Sequence, residues 1–382
     1  MLKFEEENID TPTLIVDQRV CQRNIQRMVK KAEDHHVHLR PHFKTHQSAV
    51  VGGWYKAAGI RSITVSSLDM ATYFSQHGWD DITVAFSLNM REMDKVNNLA
   101  AKISLNILVE STAHIGALEK ALVFPVGVFV KIDTGYHRTG IEAGDIERIN
   151  QLANTLITVD KVRFKGFLAH AGHSYQASSR EEILAIHEDT RSKMVKLKSY
   201  FNDLYPDLII SIGDTPSMSL AENFQGVDEI RPGNFIYYDL AQKGIGSCQW
   251  EDIAVVVACP IVAQHKERGE IIIYGGAVHF SKDSLKDSHG HNYFGRVVTM
   301  GVEGWGQPLP DCYVKSLSQE HGIVKISPTF WENFQVGDLM YIVPVHSCLT
   351  VDVIPAMITF EGQEIDTMKA LALNRHYEDI KE

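Results

Sequence analysis

No apolar run in these 382 residues reaches the roughly 18 that a bilayer-spanning helix needs. There is no block of Lys and Arg of the kind that tracks a phosphate backbone. Acidic residues outnumber basic ones, 48 to 37, for a net charge of −11. A membrane protein and a nucleic-acid binder are therefore both disfavoured, and the acidic start MLKFEEENIDTPTLIVD lacks the basic-then-apolar pattern of a secretory leader. A cytoplasmic protein is expected. Cysteine is scarce, with five residues (Cys21, Cys248, Cys259, Cys312, Cys348) that are odd in number and never spaced C-x-x-C. A disulfide framework therefore has little support, and a cysteine with a special role would be a ligand or a nucleophile. Low-complexity linkers and fixed-period repeats are also missing.

What is present is the mixture of a soluble globular chain, 44% hydrophobic and 22% charged. From Thr13 to about Asp239, short β-branched runs alternate with amphipathic stretches, as in βα units around a parallel sheet. The runs are Leu14–Val16, Val37–Leu39, Ser62–Val65, Ile82–Ala85, Ser104–Val109, Gly127–Ile132, Arg163–Leu168 and Leu208–Ile212. Between them, Val20–Asp34, Met90–Ala101, His114–Ala121, Ala143–Thr155 and Arg180–Leu204 carry apolar residues at helical spacing. Eight such units predict an α/β fold, a closed (β/α)8 barrel of the TIM type over residues 10–250. Beyond Trp250 the pattern turns to hairpins, Ile253–Ala263 with Glu270–Tyr274, then Gly322–Ile326 and Leu339–Val343. Residues 251–382 are expected to form a C-terminal all-β domain.

Chemistry-bearing residues gather at the predicted strand ends, where barrel enzymes place their active sites. Leu39-Arg40-Pro41-His42-Phe43-Lys44-Thr45-His46 offers a lysine among basic neighbours. Such neighbours would disfavour the ammonium and leave a nucleophilic amine, although a basic surface loop accounts equally well for the segment. Val130–Gly140 runs from a strand into a loop in which two glycines flank Arg138. Ala169-His170-Ala171-Gly172-His173-Ser174-Tyr175 leaves room for a planar ligand beside His170 and Tyr175. Ser211–Ser217 and Arg231-Pro232-Gly233-Asn234 present Gly and Thr ahead of helical turns, as phosphate sites do. Finally, His346 and Cys348 stand two apart after Leu339–Val343. In a strand they would share a face and reach one ion, and imidazole with thiolate suits zinc; by spacing alone, simple packing is the commoner outcome.

Taken in order, DTPTLIVD at Asp10–Asp17, NIQRM at Asn24–Met28, LRPHFKTH, KIDTGYHRTG, HAGHSY, GDTPS, EIRPGNFIYYD at Glu229–Asp239, SQEHG at Ser318–Gly322 and HSC resemble the fold-type III pyridoxal-phosphate enzymes, in particular the D-serine dehydratase and D-threonine aldolase family. The resemblance implies an alanine-racemase-like barrel holding pyridoxal 5'-phosphate on Lys44, followed by the β domain, which would also take in residues 1–9. It also implies His170 against the pyridine ring, Tyr175 or Arg231 near the ring nitrogen, and Arg138 on the phenolic side. Gly213, Thr215, Gly233 and Asn234 would surround the phosphate, and His346 with Cys348 would hold a divalent metal, zinc by its donors. A His–Cys pair is similar to that of the dehydratases, whereas the aldolases tend to pair His with an aspartate. The expected activity is dehydration of D-3-hydroxy amino acids such as D-serine or D-threonine. The alternatives are aldol cleavage to glycine and an aldehyde with His42 or a metal-bound water as base, racemisation, and a non-catalytic pyridoxal-phosphate carrier. A homodimer is also implied. Asp214, Gly275-Gly276 and Val345 depart from the family pattern, and the stretch from Asp287 to Pro310 is longer than it predicts.

Overall fold

The parallel register of eight strands defines the first unit of the computed structural model, which describes residues 4–354 and 356–369. In chain order they are His38–Leu39, Ile63–Val65, Asp81–Ser87, Ser104–Val109, Val126–Asp133, Val162–Ala169, Ile209–Ile212 and Glu229–Ile230. Each pairs in parallel with its neighbour, and Glu229–Ile230 lies between Ile209–Ile212 and His38–Leu39. A parallel bridge between His42 and Thr64 joins the remaining two edges, so the ring of eight is closed. This unit comprises Gln26–Lys44 and Gly52–Phe235. The strands are built from β-branched and aromatic residues, and Leu108, Phe129 and Leu168 form a buried cluster with Ala85 and Ile209 against it.

The intervening helices begin where the sequence supplies caps. Ser67, Ser111, Asp145 and Ser179 each accept a hydrogen bond from the amide three residues on, starting Leu68–Gln76, Thr112–Ala121, Ile146–Leu156 and Arg180–Phe201.

The eight expected runs contain one error that matters. Thr13–Val16 is a strand, but it pairs antiparallel with Val255–Ala258 and parallel with Met357–Thr359, outside the barrel. The eighth barrel strand is Glu229–Ile230, a segment just ahead of the Arg231–Asn234 loop that the pattern does not mark as a strand. Two residues of ladder are too short to show an alternation pattern, and the count of eight survived only because one strand was gained and one lost.

The second unit gathers residues up to Ile25, Thr45–Val51 and the chain from Ile236. Glu270–Tyr274, His321–Lys325, Tyr313–Leu317, Gly295–Val298, Leu339–Pro344 and Val255–His265 pair antiparallel in that order, and the last pairs back to the first. Closure of this kind removes exposed sheet edges. The long stretch after Asp287 contributes Asn292–Tyr293, which pairs with Leu285–Lys286, and the small hairpin Met300–Gly301 with Gly304–Trp305. No helix among the described residues is long and apolar enough to cross a membrane.

Candidate active site

Lys44 is exposed on the short helical turn Phe43–Thr45, at the C-terminal end of the first barrel strand. The turn is held by Phe43, which is fully buried with its ring 4.9 Å from that of Phe74 and 5.0 Å from those of Tyr55 and Trp79. The Lys44 amide donates to His42 Nδ1 at 3.3 Å. The basic neighbours expected around Lys44 are disposed differently. Arg40 pairs inside the barrel with Glu229 at 2.6 Å and Asp81 at 2.7 Å, and burial pushes the His46 imidazole down to about 3, leaving it neutral.

The depressed amine belongs to Lys131, in Val126–Asp133. Burial, with Arg231 and Arg138 nearby, pushes it down to about 7. Sequence reading took Arg138 from this segment and passed over Lys131, although a lysine inside the run Val126–Ile132 was a visible signal. A charge in an otherwise apolar strand is rarely there for stability.

His170 follows the strand Val162–Ala169, and its Nδ1–H donates to the Gly213 carbonyl at 2.7 Å. Burial holds its pKa well below the usual imidazole value, and Lys131, Lys44 and Arg138 push in the same direction. The ring is therefore a neutral plane within electrostatic reach of all three cations. Tyr136, also missed in the sequence, lies edge-on to His170 at 5.9 Å and stacks on His173 at 6.2 Å, with the Arg138 guanidinium 5.0 Å above it. Gly172 makes room for it, since a Cβ there would come within 2.3 Å of the Tyr136 ring.

The two proposed phosphate loops meet. Gly233 N and Asn234 N donate to Thr215 Oγ1 at 3.3 and 3.0 Å, and Thr215 N donates to the Tyr175 hydroxyl at 3.1 Å. At Gly213 a side chain would collide with the Arg231 backbone at 2.6 Å, so glycine alone permits the approach of the two loops. Asp214, the departure from the family pattern, is the N-cap of Thr215–Leu220, accepting from Ser217 N at 2.8 Å and Ser174 Oγ at 2.6 Å. The two loops thus converge on the Thr215 and Tyr175 hydroxyls at the start of the helix Thr215–Leu220. With the flat neutral His170 and an exposed lysine on the same rim, these residues fit pyridoxal phosphate.

In the other unit, the strand Leu339–Pro344 ends before His346, so the shared strand face expected for His346 and Cys348 does not exist. His346 is instead the residue ahead of the helix Ser347–Val353, and the turn of that helix brings Cys348 into hydrogen-bonding contact with it. Asp283 Oδ2 lies 2.6 Å from His346 Nδ1. Burial pulls the imidazole down, but Asp283, Cys348 and Asp239 more than reverse this and raise it to about 11. The helix start is tethered by Asp239, which accepts from Ser347 N at 2.9 Å. Cys348 Sγ also lies 3.3 Å from Thr45 Oγ1. The donor chemistry suits zinc and a carboxylate orients the histidine as at many metal sites, yet no third His, Cys, Asp or Glu completes a metal-binding group among the described residues.

Comparison with known proteins agrees with the fold. Residues 16–241 match the model of the alanine racemase N-terminal domain, and residues 254–360 match that of the serine dehydratase domain. The D-threo-3-hydroxyaspartate dehydratase of Delftia sp. (strain HT23) is 30% identical over 361 residues, covering 91% of this chain and 93% of that one. The chain belongs to the D-serine dehydratase and D-threonine aldolase family of fold-type III pyridoxal-phosphate lyases. A D-serine dehydratase of Dictyostelium discoideum is 30% identical over 405 residues, covering 97% and 98% of the two chains. The solved structure of the Delftia enzyme superposes with a TM-score of 0.87 at 28% identity, covering 96% of this chain and 99% of that one.

Proposed function

We propose that this lyase dehydrates D-3-hydroxy amino acids, such as D-serine, D-threonine or D-3-hydroxyaspartate, to a 2-oxo acid and ammonia. The observation that carries dehydration over aldol cleavage is the contact between His346 and Cys348 beside Asp283. Further support comes from the Delftia dehydratase, for which alanine variants of a histidine and of a cysteine two positions later are known, the latter in a metal-free form.

When bound, pyridoxal phosphate supplies an electron sink for the charge of a broken Cα bond. Lys44 would hold the cofactor, and its free amine would take the Cα proton on Nζ. His170, its Nδ1–H committed to Gly213, is an uncharged wall for the ring. Gly213, Thr215, Gly233, Asn234 and the Tyr175 hydroxyl would hold the phosphate, Arg138 would serve the phenolic side, and Arg231 would serve the ring nitrogen. His346 and Cys348 would hold a zinc ion supplying Lewis-acid help to the departing 3-hydroxyl. In the aldol alternative His42, whose Nδ1 accepts from the Lys44 amide, would be the base for the 3-hydroxyl. A cytoplasmic homodimer belongs to the same reading, and sedimentation tests the dimer.

The test is a pair of product assays on protein supplied with pyridoxal phosphate and zinc, using D-serine, D-threonine and D-3-hydroxyaspartate. Keto acid and ammonia that vanish in Lys44→Ala and Cys348→Ala are the expected outcome. Glycine and aldehyde would make it an aldolase, inverted substrate a racemase, and a loaded chromophore without turnover a carrier.

A further inference from the structure

A chain of alternating charge runs through the barrel to Arg231. Asp81 accepts from Arg40 Nη1 and Nη2 at 2.7 and 3.1 Å, and Arg40 Nε donates to Glu229 Oε2 at 2.6 Å. Glu229 Oε1 accepts from Ser211 Oγ at 2.6 Å, and Ser211 Oγ accepts from Arg231 Nε, also at 2.6 Å. Arg40, Glu229, Ser211 and Arg231 are all more than nine-tenths buried. The direction of these bonds matters. A serine hydroxyl has one proton, and the Glu229 carboxylate, an acceptor only, takes it. The Ser211 oxygen is then left to accept from Arg231. Arg231 Nη2 is occupied by the Ala169 and Ser211 carbonyls, while Nη1 makes no hydrogen bond among the described residues.

We propose that Glu229 is a positioning residue: held by Arg40 and Asp81, it fixes Arg231 through Ser211 so that Nη1 is presented to the cofactor ring. The inference rests on the pyridoxal-phosphate reading above. A carboxylate this deep in a barrel would otherwise be hard to explain, because a well-packed apolar residue is commonly at least as stabilising as a buried ion pair. Its charge also supports that of Arg231, which burial has pushed down to about 10 and which Arg40 opposes. Asp214 from the adjoining loop and Lys131 from Val126–Asp133 are the other charged groups acting on it.

The experiment titrates apo-protein with pyridoxal phosphate, reading the dissociation constant, the visible absorption band and the pH at which that band changes. It uses wild type, Glu229→Gln, Ser211→Ala, the double variant and Ser211→Thr. Each disruptive single change is expected to weaken uptake about tenfold or more, the cost of one hydrogen bond to a charged group, and to shift the band's pH dependence. The double variant should be no worse than the worse single one, since both cut the same chain, and Ser211→Thr should restore the wild-type band. A wild-type band and affinity in Glu229→Gln and Ser211→Ala would overturn the proposal, as would fully additive losses. Should Glu229→Gln fail to fold, Ser211→Ala against Ser211→Thr decides alone. A wild-type protein that takes up no pyridoxal phosphate would instead sink the reading beneath the proposal, and the proposal with it.

Discussion

The cofactor cradle and the His346–Cys348 site are built in opposite ways. The cradle draws on the ends of several barrel strands, and its parts hold one another: Tyr175 on Thr215, Thr215 on Gly233 and Asn234, and Gly213 against Arg231. The His–Cys site is carried by the first turn of one helix, with the Asp283 carboxylate facing His346 and Asp239 tethering Ser347. Most side chains of the cradle therefore have deputies, whereas His346 and Cys348 are the two donors on which any ion bound there would depend. Single substitutions should weaken cofactor uptake by degrees, but switch off whatever the His–Cys pair contributes.

Lys44 is the exception in the cradle, so it gives the largest effect. Lys44→Ala is expected to lower turnover by about three to four orders of magnitude, through loss of both the covalent anchor and the general base. Its visible spectrum should be that of unattached cofactor. Activity within tenfold of wild type would move the anchor elsewhere, with Lys131 the next amine to test.

Next in size are the changes at the other site. Cys348→Ala should leave pyridoxal-phosphate uptake unchanged and reduce keto-acid formation about a hundredfold or more, as expected when Lewis-acid help worth several kcal/mol is lost. Asp283→Ala should cost about 10- to 100-fold in zinc affinity, the usual penalty for removing the partner that orients a metal-binding histidine. Zinc titration measures both variants. Equal damage to cofactor uptake would erase the contrast between the two regions.

The same contrast explains what the sequence disclosed. The glycine loops Gly213-Asp214-Thr215 and Arg231-Pro232-Gly233-Asn234 stood out in the sequence at strand ends, although Asp214 read there as a departure and only the structure shows it as a helix cap. Their convergence was not legible, because Glu229–Ile230 is too short to be read as a strand. Thr13–Val16 looked like a barrel strand, since β-branched residues fix the extended state and say nothing of the partner. At His346 and Cys348 the spacing of two was informative, but the strand assumed beneath it was wrong. Lys131 and Tyr136 went unread because a buried charge and a ring packed on Gly172 acquire meaning only from tertiary neighbours.

The smallest expected effect concerns Lys131, the cradle residue whose burial is least compensated. Its amine is held near 7 in the folded protein, against about 10.5 when free. Between those values the unfolded chain binds a proton that the folded one does not, so stability should rise as pH increases from about 7 to 10.5, and the full penalty is present below 7. In Lys131→Met that contribution disappears, and at neutral pH the apo-protein should be more stable by up to a few kcal/mol, a shift of several degrees in Tm. Thermal unfolding of both proteins between pH 7 and 10 is the measurement, because the difference between the two curves cancels the other alkaline groups. Parallel curves would mean that the surrounding acids, Asp133 and Glu110, neutralise the buried amine after all. A wild-type curve that climbs toward the variant's as pH rises would mean that the cradle keeps an uncharged amine beside Arg138 and Arg231 at a cost in stability, and so for a reason other than folding.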